Sequence, residues 1–490
     1  MDASLKGYQV SLSICFLIIL LNINSLVCGV GFRGFSYEGL EEPVVYSRFK
    51  NFYIRENWIE QPLDHFNHRD NRTWKMRYYE NSEFWDGQGP ILIMIGGEWA
   101  ISTGFLEAGL MYEIASAHHA MMYYTEHRYY GSSKPTSDTS SENLQYLNVD
   151  QALADLAYFI QKRKDEEKIK NLPVYVFGGS YAGSIAVWSR LKYPHLIQGA
   201  HASSAPIYAK ADFYEYYEVV TRSLIRYSEQ CAADVKSAFM EVERLISKRD
   251  GPDQLKTYFN MCSILETNNP SSVSYFMSNL ADKFADAVQY DAVDQSGKTK
   301  IEKLCKSMMD SSLGTPLQRL ANLFKSTNCL NDTYETFTDD MKKTTWDAAE
   351  KNNMRLWYHQ TCTEYGYYST TNSSKSVFGT LFPLNFFTNL CIDLYGKSYN
   401  SQFLDSRVKR TNIMYGGPLP QVTNVIFTNG DIDPWHALSV LEDLNESSPA
   451  IFINGSSHCK DLYPNSYGDV ADLRNARVKV RKMFDQWITS

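Results

Sequence analysis

Pro173-Val174-Tyr175-Val176-Phe177 is an apolar run of strand length that passes without a spacer into Gly178-Gly179-Ser180-Tyr181-Ala182-Gly183, after which Ser184 to Tyr193 takes helical spacing. A strand that converts to a helix within so few residues needs small side chains at the turn. It also lifts one side chain, here Ser180, clear of the backbone. The fifth position of the G-x-S-x-G pattern is Ala182 rather than Gly, still small and followed by Gly183. A Gly-rich turn of this kind can also serve packing or cradle phosphate, but neither a P-loop lysine nor the G-x-G-x-x-G spacing follows Gly178.

The turn sits in an alternating pattern. Thr73 to Tyr79 alternates as an early strand, Ile91 to Ile95 is a buried strand closed by Gly96-Gly97, and Leu106 to Ala117 has helical spacing. Ala120 to Thr125 is a second buried strand, and Val149 to Arg163 a helix with Leu153, Leu156, Ala157 and Ile160 on one face. Strands alternating with helices predict an α/β domain with a parallel sheet. From about Pro206 to Met341 long amphipathic stretches, such as Ala232–Lys248 and Val273–Val293, predict a helical insertion. Strand-like runs return at Val422–Thr428 and Ala450–Ile453. The expected plan is a leader over 1–29, the first part of the α/β domain over 30–205, a helical cap over 206–341 and the completing part over 342–490.

Lys6 followed by a mostly apolar stretch from Val10 to Val27, ending at Cys28 and Gly29, reads as a secretory signal peptide, with no stable membrane span left after its removal. Sequons at Asn71, Asn331, Asn372, Asn445 and Asn454 fit a glycosylated chain of the secretory pathway, extracellular or lysosomal. The formal net charge of −8 over 490 residues offers no basic field for a polyanion, so nucleic acid is excluded as the expected partner. Outside the leader there are seven cysteines, Cys231, Cys262, Cys305, Cys329, Cys362, Cys391 and Cys459, with no C-x-x-C and no H-E-x-x-H. That pattern predicts disulfides and no metal, while spacing alone leaves the pairing open.

Serine at neutral pH is a weak nucleophile and needs a base, which in turn needs an acid to hold its tautomer. Downstream of Ser180, one strand runs into Asn429-Gly430-Asp431-Ile432-Asp433-Pro434-Trp435 and the next into Asn454-Gly455-Ser456-Ser457-His458-Cys459. The order Ser, Asp, His is that of an α/β-hydrolase. His458 is the preferred base over His436, and Asp433 the preferred acid over Asp431 because Pro434 fixes the backbone after it. Backbone N–H groups of Tyr181 and of Gly97 or Glu98 are the candidate oxyanion donors. Glu98 could also meet a substrate ammonium, orient a neighbour or pair with Arg128. No cofactor is called for.

Together, Gly178–Gly183, Glu126-His127-Arg128-Tyr129-Tyr130-Gly131, Asn429–Trp435 and Ser457-His458-Cys459 resemble the proline-specific serine peptidase family. The likeness runs from about Trp58 to the C-terminus, and Ser203-Ser204-Ala205-Pro206 with Asp433–His436 is most similar to its thymus-specific branch. The resemblance implies an α/β-hydrolase fold with a large helical cap, a peptide substrate, and Ser180, Asp433 and His458 as the catalytic triad. It also implies disulfides Cys231–Cys305, Cys262–Cys329 and Cys362–Cys391 with Cys459 free, and Trp435 beside a proline-accepting S1 pocket that Tyr181 adjoins. Trp357, Tyr358, Tyr365 and Tyr367 could add to that pocket or serve the core. Where the carboxypeptidase and dipeptidyl peptidase members have Asn-Glu-Gly, this chain has Gly97-Glu98-Trp99. Self-association as a homodimer is left open, and a secreted esterase or lipase and a noncatalytic binding protein are the competing readings of the same residues.

Overall fold

The computed structural model describes residues 40–45, 52–166, 169, 171–351 and 354–490. The signal-peptide segment lies outside them. Among the described residues ten strands occur in chain order: β1 (Ile54–Pro62), β2 (Thr73–Asn81), β3 (Ile91–Ile95), β4 (Met121–Thr125), β5 (Val174–Gly179), β6 (Gly199–Ser203), β7 (Lys210–Asp212), β8 (Gly366–Tyr368), β9 (Val425–Gly430) and β10 (Ala450–Ile453). Eight form one sheet in the order β1-β2-β4-β3-β5-β6-β9-β10, while β7 and β8 pair apart. The β1–β2 hairpin joins antiparallel to β4, and every pair from β4 to β10 is parallel. β3, β4, β5, β6 and β9 are buried along their whole length, as strands covered on both faces must be.

The handedness of the crossovers places the helices. From β3 through α1 (Leu110–His118) to β4 the chain moves one way along the sheet. From β4 through α2 (Val149–Glu166) to β5, and from β5 through α3 (Tyr181–Lys192) to β6, it moves the other way. Right-handed connections therefore put α1 on one face and α2 with α3 on the other. The contacts agree, since α2 packs on α3 and α1 on the C-terminal helix Ala471–Thr489. β3 and β5 are neighbours across which the direction of winding reverses, with Met94 opposite Phe177. The crevice beyond the carboxyl ends of such a pair is where open α/β sheets bind ligands.

β6 has the sequence Gly-Ala-His-Ala-Ser, with little intrinsic strand preference, and the sequence pattern does not mark it. It is a strand because β5 and β9 satisfy both of its edges. Between β6 and β9 the chain leaves the main sheet. It forms α4 (Glu215–Tyr227), α5 (Glu229–Ile246), α6 (Gly251–Phe259), α7 (Pro270–Gln289), α8 (Lys300–Met309), α9 (Pro316–Asn322) and α10 (Tyr334–Met341). Helices continue past residue 341 with α11 (Trp346–Lys351), α12 (Met354–Gln360), α13 (Leu384–Tyr395) and α14 (Ser401–Tyr415), and the sheet resumes only at β9. A helical cap inserted in a mostly parallel, doubly covered sheet is the α/β-hydrolase architecture.

Three disulfides staple this helical region. Cys231–Cys305 ties α5 to α8, Cys262–Cys329 ties the segments that follow α6 and α9, and Cys362–Cys391 ties a single π-helical turn, Thr361–Tyr365, to α13. Cys459 is a buried free thiol. Among the described residues no helix is long and apolar enough to cross a membrane.

Candidate active site

Ser180 caps α3 with φ 58° and ψ −133°, a conformation reserved for residues held by their surroundings. Its N–H donates to Ser203 O at 2.9 Å, anchoring the elbow to the end of β6. The glycines around it answer to crowding: a Cβ on Gly178 would lie 2.1 Å from Ala182 O, and one on Gly179 would lie 2.7 Å from Leu462 Cδ1 and 3.0 Å from Cys459 Sγ. That second contact brings the residue before Ser180 against the residue after His458.

The loop after β10 carries His458. Its Nδ1–H donates to Asp433 Oδ2 at 2.8 Å, and Asp433 Oδ1 accepts the Trp435 N–H at 3.0 Å. Both side chains are buried. Burial pushes the His458 imidazole down, but the Asp433 charge and hydrogen bond, with Cys459 beside it, outweigh that and hold its pKa well above the ordinary histidine range. The rivals are occupied differently. Asp431 accepts the Gly455 N–H at 2.6 Å and pairs with Arg226. His436 packs its ring against Phe452, and burial lowers its pKa.

Two cap residues that the sequence did not signal hold this loop from above. The His458 N–H donates to Gln289 O at 3.0 Å, and Gln289 Oε1 accepts from Trp435 Nε1 at 2.9 Å and from Tyr216 OH at 2.7 Å. The Tyr290 ring meets the His458 ring edge-on at 5.9 Å. From below, the Cys459 N–H donates to Ser204 Oγ at 2.9 Å. Their only sequence trace is the C-terminal end of a long amphipathic stretch.

On the other side of the crevice, the segment after β3 carries Gly97, Glu98 and Trp99. A Cβ on Gly97 would lie 2.2 Å from Trp99 Cζ3, so the indole folds onto a position that only glycine leaves open, and its Nε1 donates to Tyr124 OH at 2.9 Å. Glu98 is buried, which pushes its carboxyl up to about 7 although the nearby His458 charge pulls it down. The Arg128 considered as its partner pairs instead with Asp155, through Nε at 2.6 Å and Nη2 at 2.7 Å. Tyr181 is the first residue of α3, where N–H groups lack intrahelical acceptors.

The Tyr181 side chain is a wall rather than an open surface. It is 1% exposed, and its hydroxyl contacts His127 Nε2 at 3.1 Å, Gln360 Nε2 at 2.9 Å and Tyr365 OH at 3.2 Å. Trp357 and Tyr365 pack on its ring, Tyr365 stacks on Tyr367, and Tyr367 meets Trp435 edge-on at 5.6 Å. An aromatic layer thus joins Tyr181 to Trp435. Tyr358 packs away from it, on Phe337. The five sequon asparagines are all exposed.

A serine on an elbow at the winding reversal and a buried His–Asp pair on the loops beyond β9 and β10 are the parts that a hydrolase of the acyl-transfer class requires. The chain belongs to the serine carboxypeptidase S28 family, whose model matches residues 61–480, and is a serine-type peptidase. It is 36% identical over 448 residues to the putative serine protease K12H4.7 of Caenorhabditis elegans, covering 87% of each chain. To the thymus-specific serine protease of Mus musculus it is 36% identical over 454 residues, covering 89% of this chain and 87% of the relative. To the lysosomal Pro-X carboxypeptidase of Mus musculus it is 27% identical over 462 residues, covering 91% of each. Among solved structures it is similar to the proline iminopeptidase of Mycobacterium smegmatis, at 11% identity and a TM-score of 0.36 over 88% of this chain and 99% of that one.

Proposed function

We propose that the chain hydrolyses peptide bonds through an acyl-enzyme formed on Ser180. His458 takes the Ser180 proton and returns it to the leaving amine, while Asp433 fixes the imidazole tautomer and stabilises the imidazolium. The Tyr181 N–H and a backbone N–H of Gly97 or Glu98 would receive the charge that develops on the carbonyl oxygen. The observation that carries this reading is the 2.8 Å His458–Asp433 hydrogen bond, set on a loop bonded to the same Ser203–Ser204 turn that anchors the Ser180 N–H.

For the substrate we infer a compact apolar side chain such as proline at the residue whose carbonyl is attacked, a reading supported by the aromatic layer that joins Tyr181 to Trp435. The relatives named for Pro-X carboxypeptidase activity support the same choice. We place the mature protein in the secretory pathway, lysosomal or extracellular, glycosylated at Asn71, Asn331, Asn372, Asn445 and Asn454, with the cap of residues 206–341 limiting access to the site and a homodimer as its assembly.

The test is Ser180→Ala. Turnover of proline-containing peptides is expected to fall by several orders of magnitude, with fluorophosphonate labelling abolished and the circular dichroism spectrum unchanged. Equal turnover by the variant removes Ser180 from the mechanism. A peptide-library digest read by mass spectrometry then gives the bond cleaved; absence of any preference for proline before it defeats the S1 assignment.

A further inference from the structure

Three residues after His458 lies Asp461, a carboxylate with no part in the triad and 3% exposed. Its Oδ1 accepts from Ser203 Oγ at 2.5 Å, and its Oδ2 accepts from Thr428 Oγ1 at 2.7 Å and lies 3.0 Å from His201 Nε2. His201 and Ser203 belong to β6 and Thr428 to β9. These are the strand ends that matter to the reaction. Ser203 O accepts the Ser180 N–H at 2.9 Å, Thr428 O accepts the Ser204 N–H at 2.7 Å, and β9 runs on into the loop that bears Asp433. One buried carboxylate therefore binds side chains from beside the nucleophile, from the strand before the acid and, through its own backbone, the loop of the base.

An ordinary structural role would be met more cheaply. The loop is already secured by the Cys459 N–H on Ser204 Oγ and by Arg477, which donates to Lys460 O at 2.6 Å and to Asp461 O at 3.2 Å. Leaving a carboxylate in the sheet as well costs desolvation that only well-aimed donors offset. Here they do: burial pushes the carboxyl up, but the hydrogen bonds from His201, Ser203 and Thr428 hold it below its ordinary range. Cys459 and Ser204, the residues that bridge the loop to β6, both adopt left-handed backbone with φ 56° and 50°. Such conformations persist only where the surroundings over-determine them.

We propose that Asp461 is a positioning residue for hydrolysis, fixing the distance between the elbow of Ser180 and the loop of His458 through Ser203 and Thr428. The inference rests on the triad reading above. Displacement of a reacting group by about 1 Å costs roughly 100-fold in rate, so this anchoring acts on turnover rather than on substrate binding.

The experiment measures kcat, KM and the rate of fluorophosphonate acylation for Asp461→Asn and Ser203→Ala alongside Ser180→Ala. Asp461→Asn is expected to lower kcat and the acylation rate together by about 10- to 100-fold with KM within threefold. Ser203→Ala keeps the carboxylate, removes one donor and should lose severalfold in kcat; the double variant should lose less than the product of the two, as coupled partners do. A folded Asp461→Asn with kcat and acylation within twofold of the parent overturns the proposal, whatever its melting temperature. Should Asp461→Asn fail to fold, an unchanged kcat in Ser203→Ala overturns it equally. If Ser180→Ala itself retains turnover, the triad reading fails instead, and the two failures are told apart.

Discussion

Ser180, Gly97 and Asp433 show how single residues set this site. At Ser180 a left-handed backbone costs on the order of 1–3 kcal/mol, sustained by the hydrogen bond to Ser203 O and by glycines on its N-terminal side. At Gly97 the absence of a Cβ admits the Trp99 indole, which is pinned to Tyr124. Gly97→Ala is expected to displace that indole and the N–H groups beside it, lowering kcat about 10- to 100-fold. Removing the ring in Gly97→Ala/Trp99→Ala should recover part of the loss, and steady-state kinetics on one peptide decides. Asp433 holds the His458 pKa well above the ordinary value, and in the proposed mechanism His458 serves as base only when neutral. The acidic limb of kcat/KM should therefore lie above pH 6.5. In Asp433→Asn it should move to lower pH, while the maximum falls about 10⁴-fold. A limb that stays in place would detach Asp433 from His458.

Among the elements, the π-helical turn Thr361–Tyr365 reaches the site through the side chains it presents. It carries Tyr365 into the aromatic layer and Glu364 to the start of α2, where the carboxyl accepts the Val149 N–H at 3.0 Å. Such turns are rare in helices and cluster at functional positions. Cys362–Cys391 anchors this one to α13 across 29 residues. Replacing both cysteines by serine should lower the unfolding free energy by about 2–4 kcal/mol in denaturant titration, with a rise in KM as the layer loosens. No change in either would make the bridge dispensable. Several elements were legible in the sequence: β3 and β10 have the limits the apolar runs predict, and α2 begins at Val149 as its spacing predicts. β6 was not, because Ala and Gly carry no strand signal and only the neighbours on both sides make that segment a strand.

At the scale of the whole molecule, buried titratable groups give folding a pH dependence. Burial raises Glu98 to about 7 and Glu364 to about 8, and lowers His127 to about 4 and His359 to about 3. A raised carboxyl binds a proton in the folded state that the unfolded chain has released near 4.5, so its contribution is lost as pH rises toward the folded value. A lowered histidine contributes stability that is lost as pH falls below 6.5. Between 4.5 and 6.5 the two kinds oppose each other; from 6.5 to 8 the raised carboxyls and the raised His458 all lower stability. The thermal midpoint should fall between pH 6.5 and 8, and Glu364→Gln, which keeps an acceptor for Val149, should flatten that fall. A midpoint that rises over this interval contradicts the assignment.

The sequence by itself determined the class of fold and pointed to an elbow at Ser180 and to His458 and Asp433 as the preferred base and acid, because each of these readings depends on local chemistry: an apolar run, small residues at a sharp turn, a loop beyond a strand end. The tertiary structure alone decided which carboxylate meets which imidazole, that Arg128 belongs to Asp155, that Gln289 and Tyr290 reach down from the cap, and that Asp461 joins β6, β9 and the histidine loop. Those are contacts between segments tens to hundreds of residues apart, and nothing in the pattern of one segment records which distant side chain will complete its hydrogen bonds once water is excluded.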